Sequence, residues 1–164
     1  MRQCEKVSVT IWGKEHSLEI IAGDSIHDER FQNPDSELLP EELEQLNWLT
    51  NGNVFDDELK KQTLDYCNER YYGIGMPPVT EIFPEIELCQ IYITKRAGET
   101  NPFLLGGFKD VNWERAHEWE EKYKGPYDLY IAVLGECNYD PEHGISIVFK
   151  NKRFDRIGQN ADLF

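Results

Sequence analysis

The chain has 164 residues and sets 17 Lys and Arg against 31 Asp and Glu, a formal net charge of −14. With 40% hydrophobic and 12% aromatic residues it can fill one core, which excludes a largely disordered chain and predicts a single domain over residues 1–164. Such an acidic balance repels nucleic-acid phosphates and anionic lipid, so neither nucleic acid nor a membrane is expected as a partner.

Residues 6–12 alternate, with Val7, Val9 and Ile11 on one side and Ser8 and Thr10 on the other; after Gly13-Lys14 a second run carries Leu18, Ile20 and Ile21. This predicts an N-terminal β-hairpin. An acidic stretch follows, in which Asp24, Asp28, Glu29, Asp35, Glu37, Glu41, Glu42 and Glu44 are opposed by Arg30. It reads either as a solvated face or as a docking surface for a basic protein, with Trp48 as an aromatic anchor.

Pro40 suits a first helical turn, and Leu39, Leu43, Leu46 and Leu49 recur at helical spacing up to Asn51-Gly52. Asn53 is expected to cap a second helix with Asp56 to Glu58 in its first turn, Leu64, Cys67 and Tyr71 as its apolar stripe and Gly73 as its stop. The two helices predict an αα-hairpin. Residues 73–84, GIGMPPVTEIFP, read as a connector, whose Gly-x-Gly lacks the following helix that a phosphate loop needs.

Cys89, Ile91 and Ile93 then alternate with Gln90, Tyr92 and Thr94, a half-buried strand. A third helix is predicted from Asn112 to Lys124, with Ala116, Trp119 and Tyr123 on one face and Gly125-Pro126 as its stop. Leu129, Ile131 and Val133 oppose Tyr130, Ala132 and Leu134, the pattern of a central strand apolar on both faces. Ile145, Ile147 and Phe149 form the next strand, and Asn151-Lys152 reverses the chain into residues 153–157, completing a β-meander. The order ββ, αα, β, α, βββ predicts an α+β fold: an antiparallel sheet, made of the N-terminal hairpin and the C-terminal meander, covered by the αα-hairpin and the third helix.

Cys4, Cys67, Cys89 and Cys137 form no C-x-x-C pair and are expected to be reduced, Cys67 in a helix and Cys89 and Cys137 in strands as small core groups. The opening MRQCEKVSVTIW lacks the apolar run of a leader, so a cytoplasmic location is expected. His16, His27 and His117 make no H-x-x-x-H or H-E-x-x-H pair and read as surface or packing residues, and no G-x-S-x-G elbow appears.

The run Tyr139-Asp140-Pro141-Glu142-His143-Gly144 gathers acids and a base just before an apolar strand. Turn geometry accounts for Asp140 as an acceptor of backbone N–H groups, Pro141 as a preset φ and Gly144 as a left-handed residue, in a four-residue loop joining Tyr139 to Ile145. Glu142 and His143 are left over. An alternative use is a small metal-dependent hydrolase, with His143 as ligand or base, Asp140 and Glu142 as carboxylate partners and His117 from the third helix.

This turn, with the strand after it and then Arg153, Ile157-Gly158 and Asp162, resembles the C-terminal signature of a group of uncharacterised bacterial domains, roughly W-D-x-E-H-G before a hydrophobic strand. Tyr139 stands where that group has Trp, and the match covers residues 137–162. The group accompanies polymorphic toxin systems, so the resemblance implies a bacterial immunity protein that binds and blocks a toxin; it assigns no active site. The expectation is a non-enzymatic protein-binding domain, without a cofactor or metal, whose acids between Asp24 and Glu44 face a basic toxin.

Overall fold

Trp12 and Gly13 both adopt left-handed backbone angles, φ 48° and 81°, and so close the first hairpin within two residues. The hairpin joins β1 (Lys6–Ile11) to β2 (Lys14–Ala22). The computed structural model describes residues 1–24, 28–106 and 108–160, so His27 and Asp162 lie outside the described residues.

Among the described residues six strands form one sheet in chain order, the others being β3 (Ile86–Ala97), β4 (Tyr127–Cys137), β5 (Ile145–Lys150) and β6 (Arg153–Gly158). Every neighbouring pair is antiparallel except β2 and β3, which run parallel. A parallel pair needs a long crossover, and two helices occupy it: α1 (Pro40–Asn51) and α2 (Asp57–Gly73). The result is the α+β fold read from the sequence, with one direction reversed.

Period-two alternation sorts the sheet's side chains onto two faces. On one, Val9, Ile11, Leu18, Ile20, Ile91, Ile131, Ile147 and Phe149 pack with Leu46 and Leu49 of α1 and Leu59 and Cys67 of α2 in the main core. Trp48 adds to this core, half-buried with its ring edge-on to Phe149 at 5.4 Å. The opposite face holds a smaller cluster of Ile21, Tyr92, Ala132, Leu134 and Val148, packed with Cys4, Phe31 and Tyr130. That second cluster is why β4 is apolar on both sides, as its central place between β3 and β5 requires.

Three local expectations are corrected. The second helix is capped by Asp56, whose Oδ1 accepts from the Leu59 amide at 2.8 Å, and not by Asn53, which takes a left-handed φ of 51° just past α1. A β-bulge between Leu88 and Gln90 shifts the register of β3, so Leu88 shares the core face with Ile91 while Cys89 is exposed. The β4–β5 ladder ends at Gly135 and Ile145, so Tyr139 belongs to a longer loop and tucks its ring beside Tyr66 and Tyr71 of α2.

All four cysteines are free. Among the described residues no helix is long and apolar enough to cross a membrane.

Candidate functional site

The acidic stretch folds onto itself before it faces anything else. The Glu42 carboxylate accepts from the Leu39 amide at 2.8 Å, satisfying an otherwise unpaired donor at the start of α1. Arg30 grips the same carboxylate at 2.8 and 3.2 Å and reaches Asp28 at 2.8 Å, while Asp28 accepts from the Arg30 amide at 2.9 Å. The hydrogen bond to Glu42 is the main reason the Arg30 pKa rises. Two of the predicted partner-binding acids, Asp28 and Glu42, are thus spent on holding the loop to the helix.

The others scatter. Glu29, Asp35 and Glu37 are exposed, and Glu44 pairs with Lys152 at the meander's last turn, which lowers its pKa. Asp24 and Glu41, by contrast, line a cleft of about 940 Å³ together with Asp28 and Glu42. Its floor is the end of β3, from Tyr92 to Ala97, with Tyr127 and Leu129 of β4; its far wall is α3 (Trp113–Lys122), which supplies His117, Trp119, Glu120 and Glu121, with Tyr123 just beyond it.

The sequence places that wall well. Asn112 caps α3 by accepting from the Arg115 amide at 3.2 Å, and Asn101 donates to the Ala116 carbonyl at 3.0 Å, tying the helix to the turn at Pro102–Leu104. Trp119 stacks on Tyr123 at 4.8 Å and Tyr123 meets Tyr127 edge-on at 5.2 Å. The Tyr127 hydroxyl donates to the Tyr123 carbonyl at 2.6 Å, and the Tyr123 hydroxyl to the Pro126 carbonyl at 2.7 Å, so these rings are held in place at the cleft.

The Lys95 ammonium already uses one ring face, 4.9 Å over Tyr127 and 3.9 Å from Glu41. The cleft therefore suits cations, with Asp24, Glu41, Glu99, Glu120 and Glu121 beside aromatic surface. Sequence reading named Asp24 and Glu41 but missed the contribution of α3, although the run Glu118-Trp119-Glu120-Glu121 carries the same mixture of acid and ring.

The turn at residues 140–144 lies outside this cleft. Its Asp140 carboxylate holds the His143 ring at 2.8 Å, accepts from the His143 amide at 3.3 Å and accepts from the Gln159 amide group at 2.8 Å. The mutual hydrogen bond lowers the Asp140 pKa and raises that of His143. Gly144 takes φ 65° and closes the turn by donating to the Asp140 carbonyl at 3.0 Å, and the Asn160 amide donates to the His143 carbonyl at 2.9 Å. Glu142 is exposed. His117 sits on α3 in the cleft wall and is not brought to the turn; among the described residues no three His, Cys, Asp or Glu side chains converge as a metal-binding group.

Beneath the turn, burial pushes the Cys67 thiol up to about 12 and also raises Cys137, which disfavours the thiolate at both.

A family model for a domain of unknown function, DUF6985, matches residues 118–164. The matched stretch runs from within α3 through the meander and includes Trp119, Glu120, Glu121, Tyr123 and Tyr127 of the cleft as well as the turn at 140–144. No curated protein and no solved structure matches the chain.

Proposed function

We propose that this chain is a non-catalytic protein-binding domain whose acidic cleft receives a basic partner, in the manner of a bacterial immunity protein that neutralises a toxin. One observation carries the reading: carboxylates from the loop before α1, from α1 itself and from α3 surround a cavity of about 940 Å³ whose remaining surface includes Trp119, Tyr123 and Tyr127. A net charge of −14 draws a cationic protein toward the surface, and rings beside carboxylates hold a lysine or arginine once it arrives. Lys95, set between Glu41 and Tyr127, is an internal example of the contact offered to the partner.

The finer reading, a toxin as the partner, rests on charge complementarity with the basic clefts that nucleases use for phosphates. Co-expression tests it. A basic toxin encoded beside this chain should lose its toxicity when the wild-type chain is made with it, and regain it with a chain carrying Glu41→Gln, Glu120→Gln and Glu121→Gln. Protection that survives the triple substitution contradicts the reading.

A further inference from the structure

β3 outruns its neighbour. β2 pairs with it from Glu19–Gln90 to Ala22–Ile93, and the Gly23 amide donates to the Ile93 carbonyl at 2.9 Å, where the ladder stops. β3 continues to Ala97, paired on its other side with β4 down to Tyr127. Among the described residues no strand flanks β3 on the β2 side beyond Ile93.

Backbone alternation then fixes which groups lie along that side. The Ile93 carbonyl points to β2, whereas the Gly98 amide, five residues on, donates to the Pro126 carbonyl at 2.8 Å on the β4 side. Register is continuous between these points, so the N–H and C=O of Lys95 and Ala97 point the same way as those of Ile93, away from β4. They form a short sheet edge inside the cleft that Lys95, Arg96 and Ala97 line.

The fold closes a comparable end elsewhere. On the β1 side of β2 the Gln3 side chain, 1% exposed, accepts from the Ala22 amide at 2.8 Å and donates to the Ala22 carbonyl. The end of β3 has no such plug among the described residues, and the space beside it falls within the volume range of ligand pockets.

We propose that the open edge of β3 at Thr94–Ala97 takes an extended basic segment of the partner protein as an added strand. This rests on the function proposed above and names how the partner is held. Main-chain hydrogen bonds to Lys95 and Ala97 supply the attachment, and Asp24, Glu99, Glu120 and Glu121 around the cleft select a cationic segment. Lys95 and Arg96 keep their charges, Lys95 against Tyr127 and Glu41 and Arg96 5.9 Å over Tyr130, but seven carboxylates against three cations leave the lining net negative. A second copy of the chain is disfavoured as the occupant, since two molecules of net charge −14 repel each other.

A short alternating lysine–valine peptide is the probe, read by fluorescence anisotropy at low salt. Its affinity is compared with that of the same peptide N-methylated at alternate amides, and with binding to Ala97→Pro. Proline at 97 removes an amide that the β4 ladder does not use, so melting should be nearly unchanged while affinity falls roughly ten-fold or more, as should affinity for the methylated peptide. If Ala97→Pro does not fold, the methylated peptide decides alone.

Equal affinity in both comparisons overturns strand addition and leaves the basic-partner reading standing. No binding of the unmodified peptide to the wild-type chain overturns both. A dimer formed without peptide and abolished by Ala97→Pro also overturns the proposal, because the occupant is then a second copy.

Discussion

Arg30 holds Glu42 with both terminal guanidinium nitrogens, at 2.8 and 3.2 Å, and Glu42 in turn caps α1 through the Leu39 amide. The Glu42 side chain is 9% exposed, so removing its partner strands a nearly buried charge. Arg30→Met should lower the unfolding free energy by about 2 kcal/mol, after allowance for solvent at the partly exposed arginine. The double variant Arg30→Met with Glu42→Gln should recover part of that loss in denaturant titrations.

Two histidines should bend the pH profile of stability in opposite senses. His16 is buried beside Phe83 at 5.1 Å, and burial first, then Lys14, lowers its pKa. The unfolded chain therefore binds the proton more readily, and stability falls as pH drops through the ordinary imidazole range. His143 is raised by Asp140, so its contribution is complete below that range and is lost as pH rises through its elevated folded value. Melting curves across this window should lose their acid-side decline in His16→Leu, and His143→Gln should change them only slightly, since that ring is exposed.

Gly144 combines φ 65° with the closest surroundings in its turn: a β-carbon there would run into the Gly135 carbonyl oxygen and the Asn160 side-chain amide. Gly144→Ala should cost about 2–4 kcal/mol. Because Asn160 is bonded to His143 and Gly135, the same substitution should speed amide exchange at 159–160 before it affects β1.

Trp48 tests whether the aromatic read as an anchor beside the acidic stretch serves partner or core. With its ring on Phe149, Trp48→Ala should cost about 3 kcal/mol in chemical denaturation and leave affinity for a basic ligand unaltered under folding conditions. A variant of native stability with weakened binding contradicts that placement.

Much of the fold could be read from periodicity. Val7, Val9 and Ile11 announce β1, Pro40 with the spaced leucines announces α1, and the two apolar faces of Leu129–Leu134 announce a central strand. Strand direction could not, because alternation is the same whichever way a neighbour runs; the parallel β2–β3 pair follows from the crossover. The bulge at Cys89 was hidden for a similar reason, since Cys89, Ile91 and Ile93 alternate in sequence while the backbone breaks that alternation. Asn53 and Asp56 are both good capping residues, and only backbone angles separate them.

The candidate site was less legible. Local spacing finds the acids of one segment, but Asp24, Glu41, Lys95, Glu120 and Tyr127 meet through tertiary packing that no window of sequence contains. The turn at 140–144, compact in sequence, was read in detail by contrast, down to Asp140 as its acceptor and Gly144 as its left-handed residue.

The central claim is that the cleft's carboxylates draw in a cationic protein. Stopped-flow association of a basic partner, measured from low to high ionic strength for the wild-type chain and for Glu120→Gln with Glu121→Gln, tests it most directly. The prediction is a rate that falls about ten-fold or more with added salt in the wild type and starts lower, with a shallower slope, in the variant. Identical rates for the two chains, flat across the salt range, would contradict it.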